Sequence, residues 1–308
     1  MKAITFDRHG GLDVLRYGDV ADPVAEAGQV VVDIHAASVN AADAKVREGG
    51  GYMTVSKFPY GLGRDFSGVV AQLGAGVTDL AIGDAVFGVL AAGRDGTYAE
   101  KVAEKAAILC HKPDTLSHVE AAALALTGLT ALVSIEDTIK LKPGETILIQ
   151  GGAGGVAGYA IQLAKHIGAR VVTTASAGNH AYVKSRGADQ VIDYHKEDFT
   201  KIVKDVDAVF VTVGGDVGLR SFAVVKSGGR AAFIGSGATA PVSPRPDVQS
   251  LRPAVGRDRP HLERVLHLHA TGAVRLPEIR VFALSEAAEA QRISEGRHFR
   301  GKLILKVR

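Results

Sequence analysis

With 308 residues, 37 of them glycine, 46% hydrophobic and 22% charged, the chain can bury the cores of about two domains and is too apolar to stay disordered. Its formal charge of +3 offers no dense basic face to nucleic acid, and its one cysteine, Cys110, excludes an internal disulfide and any four-thiolate zinc site. The longest apolar stretch, 120–138, is interrupted by Thr and Gly and has acidic ends, so no membrane span is expected.

The chain opens with MKAITFDRHGG, a short strand and glycine turn without the apolar region of a signal peptide, and a cytoplasmic location is expected. Residues 1–112 hold short β-rich runs between Gly, Asp and Pro turns, among them VVVDIHAASVN, GVVAQLG, GDAVFGVL and TYAEKVA. They predict a partly open antiparallel barrel. The glycine-rich EGGGY segment within this region suits a mobile flap. From Glu120 to Ile139 the pattern is helical, and KLKPGETILIQ then gives a turn and a buried apolar strand.

Strands and helices alternate from there: ILIQ, the helix GGVAGYAIQLAKHIG, the strand RVVTTA, a helix through Lys184, then DQVIDY, DAVFVTV, the helical GLRSFAVVKSG and GRAAFIG. Repeated βα units predict an α/β fold with a doubly wound parallel sheet over 113–255. From Arg245 to Arg264 five arginines alternate with three prolines. This reads as a solvated loop, with a substrate-phosphate or subunit contact as the alternative. HLERVLHLHATG and LSEAAEAQRISEG are helical, and GKLILKVR closes the chain as a strand that returns to the first domain. His267 and His269, two apart on a helix, point away from each other and make no metal pair.

The motif with the most chemistry is Gly152-Ala153-Gly154-Gly155-Val156-Ala157, directly after a strand and opening a helix. Glycines there let the backbone approach a pyrophosphate, whose charge meets free N–H groups and the positive end of the helix dipole. An NAD site places a carboxylate about 20 residues onward. No carboxylate stands between Ala169 and Gly187, which favours NADP. Ser176, Asn179 and His180, with Lys184 and Arg186 nearby, are the polar groups available to a 2′-phosphate.

The ordered series ASVNAADAKVREGGGY, GLGRDFSGVV, GDAVFG, GTYAEKV, ALALTGLTAL, KPGETILIQGGAGGVAGYAIQLAK, GADQVIDY and HFRGKLILKV resembles the zinc-independent quinone oxidoreductases, the zeta-crystallin-like branch of the medium-chain dehydrogenase/reductases, across essentially the whole chain. The resemblance implies a GroES-like catalytic domain at 1–112, a Rossmann NADP-binding domain at 113–255, and a segment 256–308 returning to the catalytic domain. In zinc-dependent relatives a cysteine matches Asn40 and a His-Glu pair follows the glycine matching Gly63. Here Asn40 and Arg64-Asp65 stand in those places, and the cysteine-rich structural lobe is missing between Leu80 and Tyr98. No metal is therefore expected.

The same resemblance implies that Asn40 lies near the nicotinamide and Thr127 contacts the cofactor amide or ribose. It also implies that Tyr194 lies beside the adenosine phosphate, near Ser176 and Asn179, and that Gly214, Gly235 and Ser236 approach the nicotinamide half. Some relatives carry lysine where Asn179 stands. Tyr52 matches a tyrosine implicated as proton donor in related enoyl reductases, and Arg64 is the other candidate for stabilising charge, unless it only pairs with Asp65. The implied reaction moves hydride from NADPH to a quinone or to the β-carbon of an α,β-unsaturated carbonyl, in a homodimer with neither nucleic-acid nor membrane partners. The alternatives are an enoyl-thioester reductase, for which the arginine loop would hold a carrier phosphate, and a non-catalytic NADPH-binding redox sensor.

Overall fold

The computed structural model describes residues 1–50, 54–91, 93–94, 96–237, 239–296 and 299–308. The chain forms two compact units. The first comprises Met1–Leu126, Arg257–Leu266 and Glu278–Arg308, and the second Thr127–Gly256 and His267–Pro277.

The first unit is built on a seven-stranded sheet in the order Ile279–Ala283, Lys302–Lys306, Gln29–Val39, Asp65–Leu73, Ala85–Val89 and Cys110–His111, with Lys101–Lys105 also pairing Gln29–Val39. A smaller sheet orders Arg16–Asp19, Lys2–Phe6 and Tyr60–Gly61. The long strand Gln29–Val39 is rich in β-branched residues, and Val30, Val32 and Ile34, spaced by two, are fully buried, as one core-facing side of a pleat requires. They pack with Phe6, Leu62, Phe66, Leu90 and Leu305 in one cluster. The terminal strand Lys302–Lys306 lies antiparallel to Gln29–Val39, so the closing strand returns to the first unit, whereas His267–Pro277, expected to return with it as part of 256–308, belongs to the second. Helix Ala41–Glu48 follows that long strand and stops at Gly49, whose φ of 75° is the left-handed turn that ends helices. Buried Arg47 ties it to helix Ala287–Gly296 by donating to Gln291 Oε1 at 2.6 Å and pairing with Glu295 at 2.8 Å.

The second unit is a six-stranded parallel sheet in the order Gln190–Ile192, Arg170–Thr174, Thr146–Gln150, Val206–Val211, Val225–Phe233, Gln249–Leu251. Numbered along the chain within this unit, the spatial order is 3-2-1-4-5-6, and it reverses between Thr146–Gln150 and Val206–Val211. In such sheets ligands bind outside the carboxyl ends of the strands at that reversal.

Two further expectations are corrected, the place of the unit boundary and the solvation of the arginine loop, and one apolar helix bears on a third. Helix His118–Leu132 continues as the wider-wound Val133–Ile139, and over these 22 residues, at a mean hydropathy of 1.5, it is long and apolar enough to cross a membrane. Because 72% of its apolar window is buried, core packing accounts for that apolarity. The division between the units falls inside this helix, at Leu126/Thr127, whereas the sequence places it at 112/113, ahead of the helix, because an unbroken apolar run shows no boundary. Four of the five arginines at 245–264 are tied to backbone carbonyls. Arg245 Nη1 donates to the Val225 carbonyl at 2.5 Å and Arg252 Nη1 to Phe233 at 2.5 Å, while in the first unit Arg257 Nη1 donates to Leu90 at 2.6 Å and Arg259 Nε to Leu109 at 2.6 Å. A guanidinium carries five donors and no acceptor, which suits it to carbonyls at the ends of elements.

Candidate active site

In the second unit, the glycine turn leaves the strand Thr146–Gln150 at the point of reversal. The Gly152 N–H donates to the Thr174 carbonyl at 3.0 Å and the Gly154 N–H to Gly151 at 3.0 Å, closing the turn before helix Gly155–Ile167 begins. A Cβ on Gly152 would stand 2.3 Å from Thr173 Oγ1, and one on Gly235 would stand 2.3 Å from the Val213 carbonyl oxygen. Side chains at either position would push apart the backbone that forms the cradle. Gly154 is the N-cap and no side chain caps the helix, so the first-turn N–H groups of Gly155, Val156 and Ala157 keep no intrahelical acceptor. That geometry fits a pyrophosphate. Thr212 Oγ1 donates to the Gln150 carbonyl at 2.7 Å, tying together the two strands at which the order reverses.

The remaining cofactor-side positions lie at the carboxyl ends of the neighbouring strands. Ser176 and Asn179 follow Arg170–Thr174 and are joined by an Asn179 Nδ2 bond to Ser176 Oγ of 3.0 Å. Tyr194 follows Gln190–Ile192, is 50% exposed, and has its ring centroid 4.3 Å from that of His195. Gly214 follows Val206–Val211, and Gly235 and Ser236 follow Val225–Phe233, with Ser236 Oγ donating to the Thr239 carbonyl at 2.7 Å. Thr127 is buried in helix His118–Leu132 at the first position of this unit. The nearby basic residues divide: Lys184 is exposed, whereas Arg186 is spent on the Leu276 carbonyl at 2.8 Å and the Tyr182 ring at 4.8 Å.

The first unit gathers a second, charged cluster. Gly63, at φ 92°, lies flat against Tyr98, where a Cβ would come within 2.3 Å of the ring. The strand Asp65–Leu73 begins two residues later. Asp65 Oδ1 accepts from Asn40 Nδ2 at 2.7 Å, and Asp65 Oδ2 accepts from Ser38 Oγ at 2.5 Å and from the Leu126 N–H at 3.2 Å. Lys302 Nζ donates to Asn40 Oδ1 at 2.5 Å and to the Val39 carbonyl at 2.9 Å. Burial lowers the pKa of Lys302, and the Asp65 and Asp43 carboxylates oppose that shift. Asp43 accepts from the Asn40 N–H at 2.8 Å and from the Tyr98 hydroxyl at 2.6 Å, and burial, then Asp43, hold the Tyr98 phenol well above its ordinary range. Arg64 is 3% exposed. Tyr52 lies outside the described residues.

Of the residues named from the sequence, Asn40 stands in this cluster and Arg64 precedes Asp65 in the chain, while Lys302, Ser38, Asp43 and Tyr98 join it without having been named. One signal was available. In GKLILKV, Lys302 shares a strand face with buried Ile304, a place where an unpaired lysine would be costly. Cys110 is buried and its thiol is pushed up to about 11 by that burial, so it is a packing residue. Among the described residues no group of three or more His, Cys, Asp or Glu can hold a metal ion.

Two family models match parts of the chain. Residues 26–114 match the alcohol dehydrogenase GroES-like domain and 186–305 the family model described as zinc-binding dehydrogenase. The chain is 37% identical to a 2-methylene-furan-3-one reductase of Solanum lycopersicum over 85% of its length and 69% of the relative's. It is 32% identical to the chloroplastic NADPH-dependent alkenal/one oxidoreductase of Arabidopsis thaliana over 99% and 79%. The solved structure of the quinone oxidoreductase from Coxiella burnetii superposes with a TM-score of 0.91 at 38% identity, covering 100% of this chain and 99% of that one.

Proposed function

Because the chain belongs to the medium-chain dehydrogenase/reductase superfamily, with quinone oxidoreductases and alkenal/one reductases as its relatives, we propose that it reduces a quinone or an α,β-unsaturated carbonyl at the expense of NADPH. The observation that carries this is the uncapped glycine turn at the sheet reversal. The bound dinucleotide supplies the hydride at C4 of its nicotinamide.

The chain's residues do the rest. Gly152, Gly154, Gly155, Val156 and Ala157 hold the pyrophosphate with backbone N–H groups. Ser176, Asn179 and Tyr194 receive the adenosine phosphate end, the first two in a stretch, 169–187, that holds no carboxylate to repel it. Thr127, Gly214, Gly235 and Ser236 orient the nicotinamide half. By the resemblance Asn40 is assigned to the nicotinamide, and Arg64 and Tyr52 to the acceptor's developing charge, with Tyr52 as proton donor.

Zinc-independence belongs to this reading, despite the zinc-binding description of one matching family model. It is supported by Asn40 and Asp65 being committed to one another and by the Lys302 ammonium 2.5 Å from Asn40 Oδ1, a cation that opposes a divalent ion beside it. The enoyl-thioester alternative loses most of its one supporting feature, since Arg245, Arg252, Arg257 and Arg259 donate to backbone carbonyls. A cytoplasmic homodimer completes the proposal, and sedimentation of the purified protein tests its oligomeric part.

The chemistry is tested with NADPH deuterated at C4. Deuterium is expected at the β-carbon of a reduced enone, read by mass spectrometry. Product without label, or no product, rejects hydride transfer to carbon.

A further inference from the structure

We propose that Lys302 is a positioning residue that acts through Asn40, an assignment that rests on the hydride-transfer reading above. Sheet register brings the group together. Leu303 pairs with Val39, which sets Lys302 across from Asn40, and Phe66 pairs with Ala37, which sets Asp65 across from Ser38. The Lys302 side chain is only 6% exposed, so its ammonium is held by protein groups and not by water.

An ammonium only donates and a carboxylate only accepts. With Lys302 Nζ on Asn40 Oδ1 at 2.5 Å and Asp65 Oδ1 on Asn40 Nδ2 at 2.7 Å, the amide is fixed in one of its two orientations. Flipping it would set NH2 against the ammonium and the carbonyl against the carboxylate. The second amide hydrogen reaches the Ser38 carbonyl at 3.2 Å, so both donors are spent. With both donors spent, Oδ1, which also faces the Asp43 N–H in the capping box of helix Ala41–Glu48, is the part of the amide that remains to meet a ligand. Asn40 therefore accepts a hydrogen bond, as a nicotinamide amide or a ribose hydroxyl can supply, and does not polarise the acceptor carbonyl. Removing the ammonium takes away the partner that fixes Oδ1 and leaves the orientation to Asp65 and Ser38 alone, which loosens the amide.

The test compares wild type, Lys302→Met, Lys302→Gln, Asn40→Ala and the Lys302→Met/Asn40→Ala double variant, each checked for folding by thermal melting. Asn40 side-chain amide resonances are identified by their loss in Asn40→Ala. In Lys302→Met they are expected to collapse toward solvent-exposed shifts, with kcat for a quinone down about 10- to 100-fold and KM for the quinone changed less than about twofold. Lys302→Gln retains a donor and is expected to recover part of both; it carries the test alone if Lys302→Met does not fold. The double variant is expected to be no slower than Asn40→Ala. Unmoved Asn40 resonances, or losses that multiply in the double variant, overturn the proposal and leave Lys302 a folding residue. If wild type reduces neither quinone nor enone, the hydride-transfer reading fails by itself, while the resonances still decide whether Lys302 sets Asn40.

Discussion

Gly152 packs so closely on Thr173 that a Cβ at position 152 would stand 2.3 Å from the threonine hydroxyl, which itself donates to the Ile149 carbonyl at 2.6 Å. Neither the turn nor the strand beneath it has room to give. Gly152→Ala is expected to cost about 1–3 kcal/mol of stability by overpacking and to weaken NADPH binding further. Adding Thr173→Ala should restore part of both. Denaturant unfolding and NADPH fluorescence titration check this; an alanine that leaves affinity intact contradicts the cradle.

The preference for a 2′-phosphate rests on the missing carboxylate after strand Arg170–Thr174. Ser176→Asp puts one there, within reach of the polar pair Ser176 and Asn179. Charge repulsion should lower kcat/KM for NADPH by about tenfold or more while leaving NADH equal or improved. An unchanged ratio of the two would remove position 176 from the phosphate site.

How much of this could be read from the residues depends on how local each signal is. The glycine turn, the parallel βα order and the strand-end positions follow from spacing within about 30 residues, and they stand at the carboxyl ends of consecutive strands in one unit. Lys302 and Asn40 are separated by 262 positions, and only strand register makes them neighbours. The arginines at 245–264 had the composition of a solvated loop, yet Arg245, Arg252, Arg257 and Arg259 reach carbonyls distant in sequence, which composition does not encode. The unit boundary within helix His118–Leu132 was hidden for the opposite reason, because a continuous helix shows no break in its pattern.

His118 lies over His35, ring centroids 4.3 Å apart, with its Nδ1 2.8 Å from Ser67 Oγ. Burial, then His35 and Lys112, push His118 down to about 4, while burial and Arg308 lower His35 against the opposing Asp33. The folded pKa lies below the ordinary value near 6.5, so the unfolded chain takes up the proton first as pH falls. Stability is therefore whole above about pH 6.5, declines toward about pH 4 and levels off beneath it. His118→Gln should flatten that slope. Equal slopes in wild type and variant, from urea unfolding at pH 7.5 and 5, would assign the acid sensitivity elsewhere.

Arg259 spans three groups of its own unit: the Leu109 carbonyl at 2.6 Å, the Ala106 carbonyl at 2.8 Å and Asp79 at 2.6 Å. Arg259→Ala is expected to lower stability by about 1–3 kcal/mol through the lost hydrogen bonds and to leave the relative rates on quinone, enone and crotonyl-thioester acceptors unchanged. A selective loss of the thioester rate would return the arginine loop to substrate binding.

Steady-state oxidation of NADPH and NADH by the purified protein, against a simple quinone, an alkyl enone, a crotonyl thioester and an aldehyde, tests the central claim most directly. NADPH-selective turnover of quinone or enone, undiminished by a chelator and reduced by Tyr52→Phe, is the expected result. Tight NADPH binding with no acceptor consuming it, or turnover abolished by the chelator, would contradict a zinc-independent reductase and point in the first case to a nucleotide-binding sensor.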